Sequence, residues 1–362
     1  MSQAYATKLA EGFASRVIER FYERAVTDAI TNNDYEGEIK DKLSKLNIMT
    51  FAEIDLQNYT GANLTADDIE ESVGTLTTDQ QKAYYFKIRS LDRFKSWIKN
   101  PDGTLLDQVA SKLRQTVDAY TLGLYGDVAA GNRVGTNYTT GTVTVDVTTG
   151  AVTGSGTTFT AAMVGKGFKA AGHTKWYRVK TYTSATAIVI EDDSDDETSA
   201  YTGGAIGAGA TYVVEAATVL TVAKDTIYGY VNDLATKLDE REIPSDDRWL
   251  VVPPAMAALI KKAPEYIPAV ESAYREVVQR GLVGELAGFR VYKNTQVSGN
   301  ATDGWHVMAG HRAAITFAMG FTETGIEDLI GNFGKAYKGL NVYGAKVVDE
   351  RRKALAEGFW KV

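Results

Sequence analysis

The stretch GLVGELAGFRVYKN, residues 281–294, places three glycines before the strand-like sequence FRVYKN. Closely spaced glycines occur in loops that bind phosphate groups and in tight turns that lead into strands. A dinucleotide-binding loop requires a strand before the glycines and a helix after them. Here the order is reversed, because a predicted helix ends at Arg280 and a predicted strand follows Gly288. We therefore interpret Gly281, Gly284 and Gly288 as a helix end and a turn into a strand.

The sequence around this turn alternates between strand and helix patterns. DRWLVVPP (247–254) is typical of a buried strand stopped by prolines, and the segments after it favour short helices, AMAALIKKA (255–263) and AVESAYREVVQRG (269–281). Further strands are predicted at GFRVYKN (288–294), GWHVMAG (304–310) and GLNVYGAKVVDE (339–350). Three- and four-residue spacing predicts another helix through Leu220, Ala223, Ile227, Val231, Leu234 and Leu238.

The N-terminal third contains two helix patterns separated by an extended stretch. Residues 5–29 predict an amphipathic helix with one apolar stripe, formed by Leu9, Phe13, Val17 and Phe21. IMTFAEIDL (48–56) and KAYYFKIRSL (82–91) predict strands joined by polar, turn-rich sequence, as in a long, exposed, hairpin-like excursion. Residues 100–127 predict a long helix that starts at Pro101 and stops near Gly126.

Residues 133–217 differ in composition from both flanks. They are rich in threonine, glycine, valine and alanine, and β-branched residues alternate with turn residues at short intervals. This pattern is typical of a small all-β domain. Because helices are predicted on both sides, we interpret the segment as an insertion into a larger α+β fold.

The bulk composition excludes several classes of protein. The chain of 362 residues contains no cysteine, so disulfides, thiolate nucleophiles and cysteine metal sites are impossible. A net charge of −7 argues against a protein that grips nucleic acid over its whole surface. No apolar run approaches the roughly 20 residues that span a bilayer, and the N-terminus lacks the apolar core of a signal peptide. We therefore expect no membrane partner.

Candidate sites of chemistry are weak. His306 and His311 lack a carboxylate at ligand spacing, and His173 stands alone in a predicted loop. The acidic run EDDSDDE (191–197) could bind calcium weakly, but a solvated loop tip explains it better. No G-x-S-x-G motif occurs, so the sequence lacks the turn that presents the nucleophilic serine of a hydrolase triad. We expect no catalytic residue, no cofactor and no metal.

A basic and aromatic cluster is the strongest candidate for a binding surface. The basic residues singled out are Lys82, Lys87, Arg89 and Arg93. They are interleaved with Tyr84, Tyr85, Phe86, Phe94 and Trp97. This mixture would suit single-stranded nucleic acid or an acidic protein surface, and a strand with one packed and one basic face explains it equally well. In an acidic chain we favour the acidic protein surface, for example the DDIEE stretch (67–71) of another copy.

The ordered set of elements resembles a tailed-phage major capsid protein of the Hong Kong 97-like fold. In the C-terminal half the resemblance depends on DDRWLVVPPAMAALIKKA, GLVGELAGFRVYKNTQV, GHRAAITFA and GLNVYGAKVVDERRKAL. In the N-terminal half, TFAEIDL and LTTDQQKAYYFKIRSLDRF are similar to the extended loop of that family, and LLDQVASKLRQTVDAY is similar to its spine helix. No single motif is specific, and the succession of all of them carries the resemblance.

The resemblance implies a division of the chain into six parts. They are an N-terminal arm (1–47), an extended loop (48–97), a spine helix and peripheral domain (98–132), the inserted β domain (133–217), an axial domain (218–340) and a closing strand of the peripheral domain (341–362). The Leu9, Phe13, Val17 and Phe21 stripe and the Lys82, Lys87, Arg89 and Arg93 cluster would then contact neighbouring subunits.

The implied function is assembly of hexamers and pentamers into an icosahedral shell around packaged double-stranded DNA. The implied partners are other copies of the chain, scaffold, portal and decoration proteins, and DNA through non-specific contact. The implied location is the virion capsid, after synthesis in the cytoplasm of a bacterial host. A decoration or tail protein is the main alternative, and a cell-surface adhesive protein or an unrecognised enzyme are weaker ones.

Overall fold

The computed structural model describes residues 25–32, 45–51, 71–89, 101–194, 199–263, 282–329 and 333–362. These residues form two compact units. The first unit holds the described residues of 32–109 and 315–350. The second holds those of 19–31, 110–314 and 351–362.

Most of the ordered elements are strands. The helices are α1 (Thr27–Ile30), α2 (Pro101–Leu122), α3 (Ile227–Asp239), α4 (Pro254–Ile260) and α5 (Asp349–Arg352). The first strands are β1 (Lys45–Phe51), β2 (Glu71–Thr77), β3 (Gln80–Arg89) and β4 (Arg133–Val134). Next are β5 (Thr136–Tyr138), β6 (Thr142–Val145), β7 (Ala151–Ser155), β8 (Gly167–Ala170), β9 (Tyr177–Ser184), β10 (Ala187–Asp192), β11 (Ile206–Ala210) and β12 (Tyr212–Thr218). The last are β13 (Leu220–Thr221), β14 (Arg248–Val252), β15 (Leu282–Leu286), β16 (Phe289–Lys293), β17 (Gly299–Asn300), β18 (Gly304–His311), β19 (Ile315–Asp328), β20 (Gly334–Val347) and β21 (Leu355–Lys361).

A mixed sheet forms one half of the second unit, and its strand order is β13-β21-β18-β14-β16-β15. Strand β4 pairs with β21, and β17 pairs with β18. Every residue of β14 is buried, because the strand lies inside the sheet and helices α3 and α4 share its core. That core includes Leu234 and Leu238 from α3, Met256 from α4 and Trp360 from β21.

The glycine turn quoted at the outset is a β-hairpin between β15 and β16. Leu286 pairs with Phe289, so the loop consists of Ala287 and Gly288 alone, with φ of 48° and 79°. Two central residues with positive φ make the mirror-image turn that matches strand twist. The turn into a strand at Gly288 is therefore present. Gly284, however, lies inside β15 at a register shift and not in a helix end. The helix predicted over 269–281 and Gly281 fall outside the described residues.

A separate sheet fills residues 136–218 of the second unit. Its order is β11-β6-β7-β10-β9-β8-β12-β5, and its neighbours pair antiparallel. This sheet encloses its own apolar core, distinct from that of the mixed sheet, with Phe168, Val179, Ile188 and Val214 at its centre. The all-β texture of the sequence thus corresponds to an all-β element, which we call the β region (136–218).

Helix α2 is tied to the rest of the second unit through one buried carboxylate. Asp118 accepts hydrogen bonds from the backbone nitrogen of Thr27 at 3.1 Å and from its hydroxyl at 2.7 Å. Its other oxygen accepts from Asn294 Nδ2 at 2.8 Å. Burial raises the pKa of this carboxyl, and the hydrogen bonds from Thr27 and Asn294 act against that rise. One side chain therefore joins α1, α2 and the end of β16.

We predict that Asp118→Ala lowers the free energy of unfolding by about 2–4 kcal/mol, because it leaves three buried donors without an acceptor. Denaturant unfolding measures the change. Lys112→Ala, at an exposed position of the same helix, serves as the control. A loss at Asp118 no greater than that of the control would contradict the role assigned to this carboxylate.

The described residues of the first unit form two small sheets. Strands β1 and β2 pair antiparallel from Lys45 opposite Thr77 to Phe51 opposite Glu71. Strand β3 pairs with β20, and β20 pairs with β19. The expectation that 48–56 and 82–91 belong to one hairpin-like excursion is therefore wrong in its pairing. The partner of β1 is β2, which lies in sequence that we interpreted as a polar connection, because its glutamate and glycine are residue types that are depleted in strands.

Three expected boundaries also differ from the structure. Residues 341–362, expected as one closing strand, contain the end of β20, helix α5 and strand β21. Residues 315–340, expected in the axial domain, form strands of the first unit. Helix α3 begins at Ile227, and Leu220 lies in the short strand β13, since pairing with Trp360 holds it extended. Elsewhere α2 starts at Pro101 as predicted.

The register of β3 on β20 explains a glycine in the middle of a long strand. Gly339 lies opposite Tyr84, and a Cβ at Gly339 would come within 2.4 Å of the tyrosine ring. The ring of Tyr84 therefore covers the backbone that the glycine leaves bare. Burial raises the pKa of Tyr84 to about 12. Phe86 continues the packing, with its ring stacked on Tyr337 at a centroid distance of 5.3 Å.

We predict that Tyr84→Ala loosens this sheet, with a loss of about 1–2 kcal/mol of local stability from the removed ring contacts. Hydrogen exchange of the β20 amides is the measurement, because it reports on this sheet alone. Tyr85→Ala on the same strand is the matched control, since that side chain is 66% exposed and should leave exchange unchanged. Equal effects of the two variants would refute the packing role of Tyr84.

Within the described residues no helix is both long enough and apolar enough to cross a bilayer.

Candidate assembly surface

Strand β3 is an edge strand of the first unit. In the order β19-β20-β3 it has one neighbour among the described strands, and ten of its residues pair with β20. A sheet edge presents backbone donors and acceptors that can pair with another chain. Lysines on such an edge restrict what can approach it.

Side-chain alternation divides β3 into two faces. Tyr84 and Phe86 are half-buried, whereas Ala83, Tyr85 and Lys87 are exposed. Successive side chains of a strand point to opposite faces, so these sets belong to different sides of the sheet. One face is an aromatic packing face and the other carries a tyrosine and a lysine in contact with solvent.

The exposed face combines an aromatic ring with positive charge. Tyr85 is opposite Lys338 of β20. The ammonium group of Lys338 forms an ion pair with Glu327 of β19, and both side chains are about half exposed. Lys87 lies two residues from Tyr85 on the same side. We call the face formed by Ala83, Tyr85, Lys87 and Lys338 the β3 outer face.

The structure does not bring together all of the residues that the sequence predicted to form the basic contact surface. Lys82 and Lys87 are both exposed, but they are five positions apart in one strand and so lie on opposite faces. The predicted basic cluster is therefore not one continuous patch. Arg89 is the last residue of β3. The remaining candidates lie outside the described residues, namely Leu9, Phe13, Val17, Phe21 and Arg93.

One exposed aromatic residue was missed by sequence reasoning. Phe333 is 91% exposed and directly precedes β20. Because Gly334 pairs with Arg89, Phe333 lies near the C-terminal end of β3. The available signal was a phenylalanine between Asn332 and Gly334, two residue types that favour turns. Single exposed apolar side chains are common on protein surfaces, so the exposure of Phe333 by itself assigns no contact.

All three histidines have protein partners. His173 Nε2 is 2.8 Å from the Tyr201 hydroxyl, and His306 Nδ1 is 2.6 Å from Glu357 Oε1. His311 Nδ1 accepts from the backbone of Ala313. Burial lowers the pKa of His173 and of His311. Among the described residues no group of three or more histidine, aspartate and glutamate side chains is placed to hold a metal ion.

The acidic run at 191–197 is not simply a solvated loop tip. Glu191 pairs with Lys180 at 2.8 Å, and Asp192 pairs with Lys175 at 2.8 Å. Asp193 pairs with Arg352 at 2.6 Å, and its side chain is 14% exposed. The first three carboxylates are therefore used within the fold, because the end of strand β10 and the residue after it place them beside lysine and arginine side chains. Residues 195–198 fall outside the described residues.

Comparison with known proteins places the fold. No family model and no curated protein matches the chain. Among solved structures, a chain of Mycobacterium phage Che8 is 15% identical, with a TM-score of 0.53 over 92% of this chain and 91% of its own. A chain from the capsid of Ralstonia phage GP4 is 10% identical, with a TM-score of 0.50 over 93% of this chain and 90% of its own.

The likeness therefore extends over nearly the whole of both chains, although little sequence identity remains. The chain has an α+β fold that it shares with a chain of a phage capsid, and the fold predicted from the resemblance is confirmed.

Proposed function

We propose that the chain is a major capsid protein that assembles into an icosahedral shell around packaged double-stranded DNA. The observation that supports this function best is the match over 93% of this chain and 90% of a chain from the Ralstonia phage GP4 capsid. A decoration or tail protein is the alternative. The near-complete overlap in both directions favours the shell subunit itself.

The division into an N-terminal arm (1–47), an extended loop (48–97), a spine helix (98–132) and an inserted β domain (133–217) remains part of this proposal. In it the chain forms hexamers and pentamers. Scaffold, portal and decoration proteins are further proposed partners, and the virion capsid is the proposed location after synthesis in the host cytoplasm. The net charge of −7 makes contact with packaged DNA weak and non-specific.

We place one contact between subunits on the β3 outer face. It offers an exposed tyrosine, an exposed lysine and a strand that is at the edge of its sheet among the described strands, which together suit an acidic, extended segment of a second copy. The DDIEE stretch (67–71) has that chemistry. The exposed Phe333 would contribute apolar area beside it. Leu9, Phe13, Val17 and Phe21 form a second proposed contact through their apolar stripe.

Negative-stain electron microscopy of the purified chain, combined with size-exclusion chromatography, tests the function directly. We expect closed shells, or rings with five- and six-fold symmetry. If the chain stays monomeric alone and also when co-expressed with the proteins encoded beside it, the shell function is wrong.

For the β3 outer face we predict that Lys87→Glu reduces the assembled fraction at least about tenfold, because like charges then face each other across the contact. Sedimentation through a sucrose gradient separates shells from free subunits. Lys224→Glu, an exposed charge reversal in the second unit, is the control. Unchanged assembly of the Lys87 variant would remove this face from the subunit contacts.

For the N-terminal stripe we predict that Phe21→Asp abolishes assembly and leaves a soluble subunit with the circular dichroism of the unaltered chain. A charge in the middle of an apolar contact is costly to desolvate, so subunits should no longer associate through it. Shells of normal yield from this variant would contradict the proposed arm contact.

A further inference from the structure

Strand β21 contains a carboxylate that is cut off from water. Glu357 is 0% exposed. Its Oε1 accepts from His306 Nδ1 at 2.6 Å and from Lys166 Nζ at 3.2 Å. Its Oε2 accepts from Arg133 Nε at 2.7 Å. A buried charge of this kind is tolerated only when partners replace the lost water, so Glu357 depends on these three donors.

The three donors come from different parts of the second unit. His306 belongs to β18, which pairs with β21, and Arg133 belongs to β4, directly opposite Glu357 on the other side of β21. Lys166 comes from the β region, just before β8. One cation from the β region therefore neutralises an anion inside the mixed sheet.

Arg133 extends the network to a second buried carboxylate. Its Nη1 is 3.3 Å from Glu215 Oε1, and Glu215 lies in β12 with 2% exposure. Glu215 also accepts from the backbone nitrogens of Gly131, Arg133 and Gly167 at 2.8, 3.3 and 3.1 Å. A Cβ at Gly167 would come within 2.2 Å of Glu215 Oε1, so only glycine fits there. Arg133 thus bridges one carboxylate from each sheet.

Further contacts hold the chain that enters the β region. Arg352 of α5 pairs with Asp193 of the β region and donates to the backbone oxygen of Asp127 at 2.9 Å. Asp193 also accepts from the backbone nitrogen of Ala130 at 2.5 Å. Arg178 of β9 donates to the backbone oxygen of Gly126 at 2.8 Å. The linker 126–134 is therefore bound from both sides.

The aromatic surroundings fix the geometry at Glu357. The ring of His306 is stacked between Tyr125, at 3.9 Å, and Phe359, at 4.6 Å. The ammonium group of Lys166 lies 5.2 Å from the centre of the Phe359 ring. Burial alone would raise the pKa of Glu357, but the hydrogen bond from His306 and the charges of Lys166 and Arg133 lower it to about 2. The carboxylate is therefore ionised at neutral pH.

We infer that this buried network, centred on Glu357 and Lys166, locks the β region onto the mixed sheet in one orientation. The β region is then a fixed part of the subunit and not a module on a flexible tether. The geometry of the ion pairs supports this inference, because Arg133 and Lys166 contact the carboxylates of Glu215 and Glu357. Each sheet contributes one cation and one carboxylate, and two of the ion pairs run between the sheets, Lys166 with Glu357 and Arg133 with Glu215.

A double-mutant cycle on the full-length chain tests the inference. Lys166→Met leaves the network with one excess negative charge, and Glu357→Gln leaves one excess positive charge. The double variant restores the balance between Arg133 and Glu215. Lys180→Met is the matched control, because Lys180 also pairs with a glutamate, but this glutamate (Glu191) lies in the β region itself and the Lys180 side chain is 38% exposed.

Hydrogen exchange measured by mass spectrometry gives the exchange rates of backbone amides in the linker and in each sheet separately. In either single variant we expect exchange of linker amides 126–134 to accelerate on the order of 100-fold, while β6 and β7 stay protected. The double variant should recover most of the lost protection, and Lys180→Met should match the unaltered chain. A single variant that is insoluble while the double variant is soluble would also support the inference.

Three results would overturn it. Unchanged linker exchange in Lys166→Met would show that the ion pair does not hold the β region. Additive effects in the double variant would show that the two charges act independently of each other. Loss of protection throughout β6 and β7 would also overturn it, since Lys166 would then stabilise the β region itself and not its orientation.

Discussion

A carboxylate without access to water constrains much of the second unit. Glu357 lies in a strand between β18 and β4, and its charge requires donors on both sides of that strand. Arg133 and His306 supply two of them from the mixed sheet, and Lys166 supplies the third from the β region. Because the cost of burying an unpaired charge is large, the chain must bring all these segments together when it folds.

Pairing between distant strands is the corresponding constraint in the first unit. Strand β3 pairs with β20 across more than half of the sequence, and aromatic packing at Tyr84, Phe86 and Tyr337 follows from that register. The same register leaves Tyr85 and Lys87 exposed on the opposite side. A face that packs within the sheet and a face exposed to solvent are therefore two consequences of one alternating strand.

Local patterns in the sequence were sufficient to predict several helices and strands. Helix α2 begins at the expected proline, β14 is the expected buried strand, and the threonine-rich texture of 133–217 corresponds to a β sheet with its own core. These features depend on the spacing of apolar residues, on composition and on turn residues. All three can be read from residues that are close together in the sequence. The ordered succession of the elements also pointed to the capsid fold, which the structural matches confirm.

The sequence by itself thus determined the helix and strand types, the absence of cysteine chemistry and the class of fold. Only the tertiary structure decided which strands pair. It pairs β2 with β1 and β3 with β20. It also separated Lys82 from Lys87 and joined Lys166 to Glu357, which are 191 positions apart. The physical reason is that propensity acts over a few residues, whereas register and buried charge pairs depend on contacts between residues far apart in the chain.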